Sequence, residues 1–201
     1  MKRAICCKLG LVTLCITFLF APLASPAQDK DTKKDKDAPE IDCRIIYVPT
    51  PESVVKKMLD MAKVTKDDIV YDLGCGDGRI CCMAARDYGA KSVGVDIDPA
   101  RIKDCLETMK KYKVTKDQVD IRQGDALKVK DLERATVIMF YMLPEFMEKL
   151  EPQVLKRLKP GTRLVAHDFK FPNLTPDVTV EFKGPEREHT LYMWTIKEKK
   201  E

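Results

Sequence analysis

With 201 residues, 44% hydrophobic and 34% charged, the chain is long enough for one domain with a sizeable core and too varied for a fibrous or low-complexity protein. The formal charge of +4 arises mostly at the extreme N-terminus, because Lys2, Arg3 and Lys8 precede the first acidic residue, Asp29, and residues 28–201 carry 33 basic against 32 acidic side chains. That near-balance excludes a polyanion-binding surface built on bulk charge.

Residues 1–27 read as a secretory signal peptide: a basic Met1-Lys2-Arg3 start, a predominantly apolar run from Leu9 to Leu23, and small residues in Ser25-Pro26-Ala27. An uncleaved membrane anchor is the alternative, although the run falls short of the ~20 residues a spanning helix needs. Export to a periplasmic or secreted location is therefore expected, with a membrane-anchored or organellar location as the alternatives. Residues 28–43, rich in alternating lysine and aspartate, read as a disordered charged linker, and 44–201 as the folded domain. Outside the leader the cysteines are Cys43, Cys75, Cys81, Cys82 and Cys105, an odd set without zinc-site or disulfide spacing. Mostly free, buried thiols follow, with Cys81-Cys82 filling a helix face.

Thr50-Pro51-Glu52 supplies an N-cap, a first-turn proline and a first-turn acid, and Val54, Val55, Met58, Leu59 and Met61-Ala62 mark the buried face of the helix that follows. Strands are predicted at 69–73, 92–96, 119–122, 136–141 and 162–167, helices at about 79–88, 99–112 and 145–158, and a short or irregular helix within 126–134. This alternation predicts an α/β fold with a doubly wound, mostly parallel sheet. Two further strands, near 178–182 and 190–197, flank Lys183-Gly184-Pro185 with no helix between them. They are predicted to pair antiparallel at the sheet edge, for seven strands in all.

The most informative stretch is Ile69-Val70-Tyr71-Asp72-Leu73-Gly74-Cys75-Gly76-Asp77-Gly78-Arg79, an apolar run breaking into an acidic, triple-glycine turn. Alternate glycines let the backbone turn sharply and approach a ligand closely. Asp72 sits where a pyrophosphate would be repelled and a cation welcomed, which favours S-adenosylmethionine over a dinucleotide. In open α/β sheets ligands bind beyond the carboxyl ends of the strands. There Asp96 is placed for a ribose diol, Ile97 for an adenine face, and Asp125-Ala126 for an exocyclic amine and a backbone contact. Nicotinamide-binding proteins share the Gly74-to-Asp96 spacing, but the glycines here run G-x-G-x-G and a third acidic site follows the third strand. The bland alternative is that Asp96 and Asp125 merely cap helices.

With these motifs in view, the chain resembles class I S-adenosylmethionine-dependent methyltransferases over nearly all of 47–197, with their Rossmann-like sheet. More narrowly it is similar to the lysine methyltransferases of the ATP synthase c subunit and the adenine nucleotide translocase, and to prokaryotic relatives. The closer match is carried by Tyr47-Val48-Pro49-Thr50-Pro51, the Asp72-to-Ile80 turn, Tyr141-Met142-Leu143-Pro144 and Lys159-Pro160-Gly161-Thr162-Arg163. The resemblance implies that Asp72, Gly74 and Gly76 hold the methionine end of S-adenosyl-L-methionine, Asp96 the ribose, and Asp125 with Ala126 the adenine. It also implies that the segment around Tyr47 and Thr50 closes over the cofactor, a helix cap being the other role for Thr50.

Methyl transfer from a sulfonium is an in-line displacement that needs alignment and exclusion of water, and no metal is expected. A lysine acceptor must lose a proton against an unperturbed pKa near ~10.4, and an apolar site lowers that value. Tyr141, after the fourth strand, is the candidate acceptor wall, with core packing as the alternative. The segment departs from the amine-methyltransferase motif by lacking its leading Asp or Asn and its paired prolines, so nucleic acid is not expected as acceptor. His167-Asp168 offers a base, here assigned to Asp168, or a structural turn; Phe169, Phe171 and Trp194 offer an apolar rim or core. The expected activity is methyl transfer to an amine, foremost a protein lysine, by a monomer. A small-molecule methyltransferase and a non-catalytic cofactor-binding module are the alternatives, with a nicotinamide-dependent oxidoreductase behind them.

Overall fold

A computed structural model describes residues 47–198. The signal peptide or anchor at 1–27, the linker at 28–43 and Cys43 lie outside the described residues. Among the described residues no helix is long and apolar enough to cross a membrane.

Seven strands form one sheet in the order β3-β2-β1-β4-β5-β7-β6. They are β1 (Ile69–Leu73), β2 (Lys91–Asp96), β3 (Val119–Gln123), β4 (Val137–Phe140), β5 (Arg163–His167), β6 (Val178–Lys183) and β7 (Glu188–Thr195). The first five pair in parallel. β7 lies antiparallel beside β5, and β6 closes the edge against β7. The central strands are buried on both faces, as a parallel sheet covered by helices requires, whereas edge strand β6 is largely exposed. Helices α1 (Glu52–Met61), α2 (Arg79–Tyr88), α3 (Pro99–Tyr112) and α4 (Pro144–Arg157) match the predicted set within a few residues.

Strand alternation divides the core into two layers. Val70, Val137, Met139 and Val165 join α1, α2 and α3 in one. Tyr71, Ile138, Phe140 and Leu164 join α4 and the 126–134 segment in the other. Each of the larger side chains, such as Met58, Leu59, Tyr71 and Phe140, is fully buried and contributes roughly 1.5–3 kcal/mol of hydrophobic stabilisation. Cys75, Cys81, Cys82 and Cys105 are free and buried, as the cysteine pattern predicts. Phe171 and Trp194 take the core alternative, their rings edge-to-face at 5.2 Å, and neither forms a rim.

One local prediction needs correction. Pro51, not Thr50, stands at the N-cap of α1, and no side chain caps that helix. The 126–134 segment holds two short 3-10 turns, Ala126–Lys128 and Leu132–Arg134, in keeping with the short or irregular helix expected there, and the Asp125 side chain caps the start of the first.

At the amino ends of the strands, opposite the glycine turn, Asp68 ties four segments together. Its carboxylate accepts from Thr65 N at 2.8 Å and Thr136 Oγ1 at 2.7 Å, and pairs with Arg163, which also donates to Ala62 O at 2.6 Å. Asp68→Ala leaves a part-buried guanidinium uncompensated and is expected to cost about 2–3 kcal/mol. Thermal denaturation should show a Tm lower by roughly 5–10 °C, with cofactor affinity unchanged.

Candidate active site

Strand order reverses between β1 and β4, and there the carboxyl ends of five parallel strands form a ledge. Pairing sets Arg122, Val95, Leu73, Phe140 and Ala166 in one row. One residue further along the chain stand Gln123, Asp96, Gly74, Tyr141 and His167, so residues far apart in sequence meet on one rim.

The glycine turn joins β1 to α2. Gly74 and Cys75 both donate to Val95 O, at 2.8 and 3.0 Å, which moors the turn to β2. Gly74 (φ 84°) and Gly76 (φ 55°) have left-handed backbone, and both lack room for a side chain. A Cβ at Gly74 would stand 2.4 Å from Met142 Sδ, and one at Gly76 2.3 Å from the Tyr47 ring. Met142 and Tyr47 therefore lie directly on the turn. The Arg101 guanidinium stacks 4.5 Å from the centroid of the Tyr47 ring. Burial, with the Asp77 charge, pushes the Tyr47 hydroxyl up to about 12, so it stays neutral.

Carboxylates stand at this turn and on the strand ends beside it. Asp96 accepts from Gly76 N at 2.8 Å through Oδ2 and from Asp98 N at 3.0 Å through Oδ1; burial raises its pKa against the pull of those two N–H groups. Asp98, not Asp96, caps α3, accepting from Ala100 N at 2.8 Å. Asp125 does cap, accepting from Leu127 N at 2.9 Å, and also lines a cavity of about 480 Å³ with Val95, Gly124, Lys128 and Val129. Gly124 N donates to Asp96 O at 2.9 Å, which sets the β3 end beside that of β2. Ile97 is half-buried after Asp96, and Ala126 is buried after Asp125.

Asp72 is the anomaly. It is 2% exposed, and its Oδ2 has no hydrogen-bond partner. Burial, then the charges of Asp96 and Asp77, push its pKa up to about 8. A buried acceptor left unpaired is costly, and a cation at this point would relieve it. Asp77, by contrast, is paired with Arg79 at 2.6 Å and held low against its burial.

A second group stands at the ends of β4 and β5. The Tyr141 ring lies over the His167 ring at 4.0 Å between centroids and parallels Phe169 at 6.2 Å. Thr50 Oγ1 bonds His167 Nδ1 at 3.1 Å, and His167 Nε2 bonds His189 Nδ1 at 2.8 Å. The Thr50 hydroxyl thus fastens the N-terminal segment to β5 instead of capping α1. Burial brings His167 down to about 4, so it is neutral. Asp168 sits in left-handed backbone (φ 61°), accepts from Thr190 N at 3.2 Å and pairs with Arg187. Burial raises its pKa, but the bonds from Arg187 and Thr190 N outweigh that and hold it below the usual range, which suits seating a cation more than taking a proton. The ligand atoms of His167, Asp168 and His189 lie within 4.8 Å of one another, yet the imidazole–imidazole bond and the Arg187 pair already engage them.

The structure thus gathers Tyr47, Asp72, Gly74, Gly76 and Asp96 around one turn, with Asp125 on the next strand end and Thr50, Tyr141 and Asp168 along the ledge. Arg101, Arg187 and His189 were not singled out from the sequence, and Met142 was quoted there only within the Tyr141-to-Pro144 motif. Met142 follows Tyr141 directly and was within reach; the other three carry no local signal.

Comparison with known proteins gives this geometry its context. The family described as the ANTKMT methyltransferase domain matches residues 72–178. A protein-lysine N-methyltransferase from Saccharolobus islandicus is 44% identical over 77% of this chain and 95% of its own length. The chain belongs to this methyltransferase family. A Xenopus laevis lysine N-methyltransferase of the ATP synthase c subunit is 31% identical over 65% of this chain, which spans only 56% of that enzyme's length. A crystal structure of an RNA methyltransferase from Salinibacter ruber, in complex with S-adenosyl-L-homocysteine, is 44% identical, with a TM-score of 0.71 over 77% of this chain and 97% of that one. The methyltransferase uses S-adenosyl-L-methionine as its donor. The orphaned Asp72 oxygen and the glycine turn fit such a cationic, adenosine-containing molecule.

Proposed function

We propose that this methyltransferase acts on the side-chain amine of a protein lysine. The single observation that carries the reading is the acceptor wall: a half-buried tyrosine and a parallel phenylalanine beside a carboxylate held in its charged form, with Tyr141 adjoining the Met142 that rests on Gly74. Such a wall suits a cationic group on an aliphatic stem. The 44% identical relative named as a protein-lysine N-methyltransferase supports the same reading.

In this proposal Asp72 and the Gly74–Gly76 turn bind the methionine end of the donor, Asp96 the ribose, and Ile97, Asp125 and Ala126 the adenine. Tyr47 and Thr50 hold the N-terminal segment across the site. Bound S-adenosylmethionine supplies a methyl group already activated on a sulfonium, so the nitrogen–carbon bond forms as the sulfur–carbon bond breaks and S-adenosylhomocysteine leaves. Asp168 seats the acceptor's ammonium beside the faces of Tyr141 and Phe169; one proton then leaves to solvent against the pull of the Asp168 charge, and the partly buried apolar rings favour the neutral amine that attacks.

Incubation of the protein with methyl-labelled donor, an unmethylated proteome and total RNA tests the proposal. Label is expected on lysine side chains, read as methyl-lysine by mass spectrometry of digests. Label confined to RNA or to small metabolites would reject the lysine acceptor.

A further inference from the structure

The acceptor wall already holds a cation. Arg187, from the turn between β6 and β7, pairs through Nη2 with Asp168 Oδ2, places Nη1 3.3 Å from Asp168 Oδ1, and reaches the Tyr141 hydroxyl at 3.4 Å. Its Nη1 also donates to Glu188 O at 2.9 Å. We propose that Arg187 is a resident cation occupying the seat of the acceptor's ammonium, and that the incoming amine displaces it. The inference rests on the amine-acceptor reading above.

The two members of this pair differ in mobility. The Asp168 side chain is 16% exposed and, just past the end of β5, is fixed by its own N–H on Thr190 O, by Thr190 N and by His167 at 3.4 Å. Uncovered, that carboxylate lacks a full counter-charge, so a cation beside it is favoured. Arg187 is 48% exposed at a hairpin turn, and a guanidinium so open to water loses little on leaving its partner. Anchor and aromatic wall are therefore fixed, while the cation is exchangeable. A lysine ammonium is a compact charge on a slender stem and can meet the Asp168 carboxylate end-on, beside the Tyr141 and Phe169 rings, where the guanidinium presents a broad fork. Arg187 then acts as a selectivity device: only a group that supplies its own positive charge replaces it without stranding Asp168, so neutral amides and hydroxyls are refused.

The test uses the full chain loaded with S-adenosylhomocysteine and n-butylammonium as the probe. Arg187→Ala is expected to bind the probe about tenfold tighter than the unaltered protein, since a self-occupied seat weakens affinity by the fraction of time it is free. Added n-propylguanidinium should reverse the gain, and Asp168→Asn in the Arg187→Ala background should abolish it. In turnover, KM for a lysine acceptor should fall roughly three- to tenfold with kcat nearly unchanged. S-adenosylhomocysteine affinity, unchanged in every variant, reports intact folding. Equal probe binding with and without Arg187 would overturn the inference alone. So would a rise in KM on removing Arg187, which would mark that residue as a recruiter of anionic acceptors. Label found only in RNA would remove the lysine-acceptor reading and this inference with it.

Discussion

Asp72→Asn is expected to weaken S-adenosylmethionine binding roughly 100- to 1000-fold while making the cofactor-free protein more stable. The carboxylate is buried with one oxygen unpaired and carries a pKa pushed up to about 8. Without a ligand its charge is a liability; with a cation beside it, it becomes the strongest electrostatic contact in the site, worth about 3–4 kcal/mol on truncation of a buried charge pair. Asparagine keeps the shape and abolishes both effects. The sign with pH follows from proton counting. The folded, cofactor-free protein keeps a proton on Asp72 up to about pH 8, whereas the unfolded chain loses it in the ordinary carboxylate range, so stability falls as pH rises between those limits. Binding a cation pulls the group back down and releases that proton. Affinity should therefore climb with pH until about 8 and then level off, with the Asn variant flat throughout. Calorimetric titrations at pH 6, 7 and 8 and denaturant melts of the two proteins check both halves, and an Asn variant that binds normally would remove Asp72 from the site. Comparison with S-adenosylhomocysteine adds detail: a smaller loss for that ligand places the carboxylate against the sulfonium, an equal loss against the amino group.

Asp96→Ala is expected to raise the dissociation constant for the cofactor about 30- to 300-fold through two effects at one residue. Both carboxylate oxygens hold backbone N–H groups, those of Gly76 and Asp98, so the side chain fastens the glycine turn to the β2 end. Each oxygen keeps a further lone pair that can accept from the hydroxyls of a ribose. Hydrogen bonds to a charged group contribute about 1.5–3 kcal/mol each, and removal disturbs the turn as well. A cycle with a 2′-deoxy cofactor analogue separates the contributions: the unaltered protein should prefer the ribose form by about tenfold, and the Ala variant should show no preference. A preference that survives the substitution would assign the diol to another residue and leave Asp96 as an anchor of the loop alone.

Much of the molecule was legible without coordinates. The buried strands announce themselves as short Val/Ile-rich runs, and α2 and α3 begin and end where their apolar spacing and Asp98-Pro99 place them. The acidic glycine turn could be located and its ligand class inferred, because a carboxylate before a G-x-G-x-G turn is a local pattern with a local reason. The cap of α1 escaped because Thr50 has a distant competitor for its hydroxyl, His167, 117 residues away. Phe171 and Trp194 were open to a rim role because aromatic residues after a strand serve equally as core, and only the packing of the β6–β7 hairpin decides which.

The sequence by itself determined the order of strands and helices, the backbone freedom of the turn and the chemical type of its ligand, since each depends on neighbours a few residues apart. Only the tertiary structure decided that Asp72 has an oxygen without a partner, that Met142 and Tyr47 rest on the glycines, and that Arg187 covers Asp168 and Tyr141. Those facts depend on burial and on sheet register across strands far apart in the chain, quantities that no local pattern encodes.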